Sequence, residues 1–196
     1  EAENMDPPAR NVLEVGYEAL YRGLFTKEKL QGIEITVNLG YAESEFSALV
    51  NRGCHHGIAQ DTRTNIMCSG VASRLHYCLN MTGPCMTTET ACSSSLSATA
   101  LMHTWMRPDM PDFTQKTFRK QLQYGISFGS NGHFDPFYTI SLCGASMLTH
   151  GGRCFTFDQS ADGFVRGEGT GGMFYKVSGG EDLSRLAMLC GTCMNQ

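Results

Sequence analysis

Cys92 stands between a threonine-rich run, Met86-Thr87-Thr88-Glu89-Thr90-Ala91, and three serines, Ser93 to Ser95, that lead into Leu96, Ala98, Ala100, Leu101, Met102 and Trp105. A Gly83-Pro84 breaker opens the run, and its composition predicts a strand. The apolar residues after Ser95 recur at helical spacing. A single cysteine therefore falls where a strand turns into a helix. The first N–H groups of a helix lack intrahelical partners, and the macrodipole places partial positive charge there. A thiolate, the nucleophilic form of cysteine, is favoured at such a site. The same N–H groups can hold the oxyanion formed when a thiolate attacks a thioester carbonyl. Ala91 and Ser93 to Ser95 are small enough to leave room for an acyl chain. Residue types and spacing leave a second reading open, a packed structural cysteine, because free cysteines are among the most buried residues.

Other residues with chemical potential are less organised. Cys54-His55-His56 offers metal-ligand types, but no Cys-x-x-Cys pair accompanies it at finger spacing. Cys190 and Cys193 form a single Cys-x-x-Cys without a partner pair. No metal site is expected from either. Nine cysteines, an odd number without the spacing of a small secreted scaffold, predict mostly reduced thiols in an intracellular compartment, cytoplasm or plastid.

The elements that must position Cys92 follow from patterning. Asp6-Pro7-Pro8 opens an amphipathic helix whose apolar residues are Val12, Leu13, Val15, Leu20 and Leu24. Residues 33–40, Ile-Glu-Ile-Thr-Val-Asn-Leu-Gly, alternate as a strand does. Arg52 to Gln60 is expected as a loop, and Thr64 to Leu79 as a helix with the stripe Ile66, Met67, Val71, Leu75 and Leu79. Arg107 to Asp112 carries two prolines and predicts a loop, followed by a solvated basic helix face at Lys116, Arg119 and Lys120, with contact to a carrier protein as the sharper alternative. Strands are expected at Tyr124 to Gly129 and Gly172 to Val177. At 196 residues the chain can bury one sizeable core. A net charge of −4 without a basic run argues against nucleic acid as a partner, and no apolar run is long enough for a membrane span.

Thr90-Ala91-Cys92-Ser93-Ser94-Ser95-Leu96 resembles the nucleophile motif of the β-ketoacyl synthases of polyketide synthases, with Glu89 where that family usually has Asp. A second match is Gly152-Arg153-Cys154 through Thr156-Phe157-Asp158 to Ala161-Asp162-Gly163-Phe164-Val165-Arg166-Gly167-Glu168-Gly169, where His150-Gly151-Gly152 replaces the family's Pro-Asp-Gly turn. Glu1-Ala2 with Met5-Asp6-Pro7 and Arg10, Ser73-Arg74-Leu75-His76-Tyr77, and the final Asn195-Gln196 resemble further family segments.

The resemblance implies an α/β, thiolase-like fold, mostly the N-terminal half of the layered αβαβα ketosynthase fold. Residues 1–196 then form a partial ketosynthase domain that lacks the first strand and the C-terminal, histidine-bearing half. It implies decarboxylative Claisen condensation in polyketide or fatty-acid chain elongation, with Cys92 as the acyl-accepting catalytic residue. No cofactor is implied; substrates arrive on the phosphopantetheine of an acyl carrier protein. The family forms homodimers through the strand beside the nucleophile. Two family histidine motifs, His-Gly-Thr-Gly-Thr and Asn-x-x-x-Gly-His, do not occur in the sequence, and His76 is expected to be an ordinary packed side chain. The residues present can support acyl transfer to Cys92 but not condensation, so enzymatic activity of this chain stays open. Asp162, Arg166 and Glu168 are expected to form a structural ion network beneath the site. A half-domain of this kind should expose an apolar face that a homo-oligomer or larger complex covers. The alternative reading is a truncated, catalytically silent, ketosynthase-like structural subunit of a larger assembly.

Overall fold

A computed structural model of the protein describes residues 5–42, 45–52, 68–108, 121–180, 182 and 184–195. Four strands form one mixed sheet in the order β2-β1-β3-β4: β1 (Ile35–Gly40), β2 (Cys85–Thr88), β3 (Tyr124–Asn131) and β4 (Gly169–Lys176). β1 pairs in parallel with β2 and β3, and β4 runs antiparallel to β3. The carboxyl ends of the three parallel strands therefore lie along one edge of the sheet, where crossover α/β folds place their sites.

Helices cover both faces. α1 (Pro7–Arg22) begins at the expected Asp-Pro signal and α4 (Cys68–Leu79) at a position within the expected helix. Val12 and Leu20 of α1 and Leu75 and Leu79 of α4 pack with Ile35, Val37 and Leu39 of β1 and Ile126 and Phe128 of β3 in the main core. Burying each such side chain fully stabilises the fold by about 1.5–3 kcal/mol. α5 (Ser94–Met106) lies on the opposite face, against β1 and β3. Three short helices complete the described chain: α2 (Lys27–Leu30), α3 (Glu45–Asn51) and α6 (Pro136–Gly144).

One expectation is corrected. Leu24 does not extend the first helix; it sits beyond the end at φ 68° with its side chain exposed. β1 forms within the expected strand, and all six of its residues are buried, Thr36 and Asn38 included. A parallel central strand is covered on both sides, so its polar residues must find partners inside. Residues 53–60 of the expected loop, residues 64–67 of the expected helix, Cys54-His55-His56 and the basic group at Lys116, Arg119 and Lys120 lie outside the described residues. Among the described residues no helix is long and apolar enough to cross a membrane.

Candidate functional site

β2 ends at Thr88, and a one-turn 3-10 helix, Ala91–Ser93, joins it to α5. Cys92 is the middle residue of that turn and is exposed. Ala91 holds φ 54°, a left-handed conformation that costs a non-glycine residue about 1 kcal/mol. Local hydroxyls hold the turn. Ser94 Oγ accepts from Thr90 N at 2.8 Å and donates to Ala91 O at 2.6 Å. Ser93 Oγ donates to Thr90 O at 2.8 Å, and the hydroxyls of Thr90 and Ser97 meet at 2.9 Å. The serines after the cysteine thus staple the bend besides being small. The N–H groups of Ser93 and Ser94 close the turn onto Thr90 O and Ala91 O, so these two amides are not the free donors that the sequence suggests.

Two glycines let the start of α5 lie directly on the sheet. A Cβ at Gly40 would stand 2.4 Å from the Ser94 carbonyl carbon, and one at Gly129 2.7 Å from Ser95 Cβ. Further along, the hydroxyls of Thr99 and Ser127 share a hydrogen bond of 2.9 Å beneath the helix. Asn38 donates to Thr36 Oγ1 at 2.8 Å, but its buried Oδ1 has no partner among the described residues. One turn along α5 from Cys92, a cleft of about 240 Å³ opens between Ser95, Leu96 and Thr99 of α5, Ser127 and Gly129 of β3, and Gly171 of β4. Cys92 is not itself part of the cleft lining. Leu96, 73% exposed, stands at its rim.

The histidines and remaining thiols are placed differently. His76 is buried and its Nε2 lies 2.9 Å from Ile35 O, to which it donates as the neutral imidazole. Burial pushes its pKa below the ordinary value despite that bond. It is a packed side chain, as expected. Burial also lowers the His103 pKa, with Arg107 adding to the effect, and His103 Nδ1 meets Thr192 Oγ1 at 2.9 Å. Burial drives the Cys85 thiol up to about 11. Cys143, Cys154, Cys190 and Cys193 are exposed free thiols.

Asp162, Arg166 and Glu168 do not form one ion network. Asp162 accepts from Thr149 Oγ1 and His150 N, and Glu168 accepts from His133 N at 2.7 Å. Among the described residues, Arg166 is the one of the three in an ion pair, with Glu45 at the start of α3. Glu45 also accepts the N–H groups of Phe134 and Asp135, both at 3.0 Å. Nothing in the local sequence around Glu45 signals this role.

An exposed cysteine at the carboxyl end of a parallel strand, on a strained turn that opens a helix laid across the sheet, places the chain among α/β proteins with a strand-to-helix nucleophile position. A family model described as "Beta-ketoacyl synthase, N-terminal domain" matches residues 1–176. The chain belongs to the β-ketoacyl synthase family. It is 32% identical over 176 residues to polyketide synthase PksL of Bacillus subtilis, covering 90% of this chain and 4% of that protein. It is 33% identical over 201 residues to the cluster 41 polyketide synthase of Aspergillus flavus, covering all of this chain and 17% of that one. Among solved structures, the ketosynthase from module 6 of the bacillaene synthase of Bacillus subtilis superposes with a TM-score of 0.74 at 30% identity, over 90% of this chain and 28% of that one. The oxazolomycin ketosynthase domain of Streptomyces albus gives 0.74 at 25% identity, over 90% and 29%. The fold is that of the N-terminal half of a ketosynthase, and the chain spans less than a third of each of these relatives.

Proposed function

We propose that the chain supplies the acyl-accepting part of a β-ketoacyl synthase, with Cys92 as nucleophile. The Cys92 thiolate attacks the carbonyl carbon of an acyl thioester carried on the phosphopantetheine of an acyl carrier protein. A new C–S bond forms as the carrier's C–S bond breaks, and the departing carrier thiolate takes up the proton given up by Cys92. Decarboxylative Claisen condensation with a malonyl unit, in polyketide or fatty-acid chain elongation, would follow with the family's two histidine motifs. These are not among the 196 residues, so acyl transfer alone is assigned to them. No cofactor takes part in either step.

The observation that carries this reading is the exposed Cys92 on its hydroxyl-stapled turn between β2 and α5. Among the described residues β2 pairs with β1 and forms the end of the sheet beside the nucleophile, and a homodimer or larger assembly is part of the same reading. The free thiols agree with an intracellular setting, cytoplasm or plastid.

The test is incubation of the purified chain with an acyl-N-acetylcysteamine thioester, followed by peptide mass mapping. Acyl mass on Cys92, absent from Cys92→Ala, is the expected result. Acyl mass shared evenly among Cys143, Cys190 and Cys193, with none in excess on Cys92, would overturn it in favour of a catalytically silent structural subunit.

A further inference from the structure

α6 has no buried residue, although its sequence is apolar. Phe137, Tyr138 and Ile140 are all more than half exposed. Helices normally hold their place by burying a stripe, so something else must fix this one.

Among the described residues, the contacts that do so are made by charged side chains. Asp135 caps α6 by accepting the Phe137 N–H at 3.0 Å, and Arg52 donates to Asp135 at 3.0 Å while its guanidinium lies 5.4 Å from the Phe137 ring centroid. Arg166 donates to Thr139 Oγ1 at 2.6 Å and lies 4.8 Å from the Tyr138 ring centroid. Both sets converge on Glu45, which binds the N–H groups of Phe134 and Asp135 with one oxygen and Arg166 with the other. An apolar contact also joins α3 to the lead-in of α6, the edge-on pair Phe46 and Phe134. The cluster begins just past the cleft: Gly129 lines it two residues before Asn131, whose side chain binds Gly167 O at 2.8 Å, and Gly171 lines it two residues after Gly169.

We propose that Glu45 is a positioning residue, an anionic latch that holds α6 and residues 163–168 as one unit at the carboxyl end of the sheet, just past the cleft that opens one turn along α5 from Cys92. One carboxylate joins α3, the turn before α6 and the strand-like segment before β4. Losing its charge frees two backbone donors and a guanidinium together, while the core under α1 and α4 stays intact. The proposal needs Cys92 only as an accessible thiol, not as an acyl acceptor.

Amide hydrogen exchange with mass spectrometry on the full chain tests it. In the unaltered protein, α6 should exchange far faster than α1, since charge rather than apolar burial holds it. In Glu45→Gln, residues 134–144 and 163–168 should exchange about tenfold or more faster while β1 and β3 stay unchanged. Arg166→Gln should loosen the same segments, the double variant no further, and Glu45→Asp should recover much of the protection. The ratio of Cys92 alkylation by N-phenylmaleimide to that by iodoacetamide should change at least about threefold in Glu45→Gln, with the ratio at Cys190 constant. Exchange of α6 as slow as α1 in the unaltered protein would overturn the latch even if Glu45→Gln failed to fold. Loosening spread equally through β1 and β3, or an unchanged alkylation ratio at Cys92, would overturn the positioning role.

Discussion

Glu45 on α3 and Arg166, 121 residues further along the chain, meet in an ion pair whose two side chains keep only 11% and 10% of their exposure. A pair so shielded depends on the bonds around it, because desolvation opposes the charges that it brings together. Here two backbone N–H groups complete the carboxylate's partners.

The Glu45 carboxyl should make acid stability steeper. Burial alone would raise its pKa, but the Asp135 N–H, the Arg166 guanidinium and the Phe134 N–H together hold it below the ordinary value of 4.5. A carboxyl with a depressed folded pKa contributes stability that is present above the unfolded value and lost as pH falls through the folded one. Urea unfolding followed between pH 6 and pH 3, about the carboxylate range, should show this loss below 4.5. Glu45→Gln should flatten that limb and lower neutral-pH stability by about 2 kcal/mol.

His76 should add an earlier step. Its folded pKa lies below the ordinary 6.5 because burial disfavours the imidazolium, so the unfolded chain binds the proton first. Stability is full above 6.5 and declines as pH falls from there toward the lowered folded value. A His76→Gln variant, whose amide can still donate to Ile35 O, should lose this step while keeping the lower Glu45 step. Thermal unfolding across both ranges separates the two.

Cys85 at the start of β2 and Cys92 in the turn after it should differ widely in reactivity. With its thiol at about 11, Cys85 is thiolate in roughly one molecule in a thousand at pH 8. Cys92 is exposed on the turn. Time-resolved iodoacetamide labelling of the native chain should modify Cys92 well before Cys85. In guanidinium chloride, where burial no longer acts, the two rates should converge.

How much of this could be read from the sequence depends on whether a feature is local. The helix opened by Asp6-Pro7, the strand ending at Gly40 and the strand-to-helix change at Cys92 each carry their signal within a dozen residues, and all three are found. The Glu45–Arg166 pair carries none, since only the topology brings those positions together. Ala91 at φ 54° was equally hidden, because nothing in an alanine announces a left-handed bend. The alternation through Thr36 and Asn38 marks the strand correctly but carries no sign that both of its faces are buried, which the topology alone decides.

Gly40→Ala should damage the site more than the fold. The added methyl meets the backbone of Ser94 and Ser95 at 2.4–2.6 Å, and backbone cannot swing aside as a side chain would. The first turn of α5 must lift from β1, carrying the bend at Cys92 with it. A stability loss of about 1–3 kcal/mol is expected. Thioester acylation of Cys92 should fall further than that loss accounts for, measured by mass spectrometry under conditions where the variant stays folded.

Asn38 offers the opposite case, a substitution that should stabilise. Its side chain is fully buried, and Oδ1 has no hydrogen-bond partner among the described residues, while Nδ2 donates to Thr36 Oγ1. An unsatisfied buried carbonyl costs about 1–3 kcal/mol, but removing Asn38 alone strands the Thr36 hydroxyl and returns part of that penalty. Changing both partners to apolar groups of similar shape avoids the orphan. Thr36→Val with Asn38→Leu should therefore raise the urea midpoint above that of either single variant and of the unaltered chain, at unchanged m-value. The leucine meets the layer that holds Ser127 and Thr99, whose mutual hydrogen bond needs neither residue of the pair. A lowered midpoint in the double variant would mean that Oδ1 has a partner in solution, a bound water being the simplest.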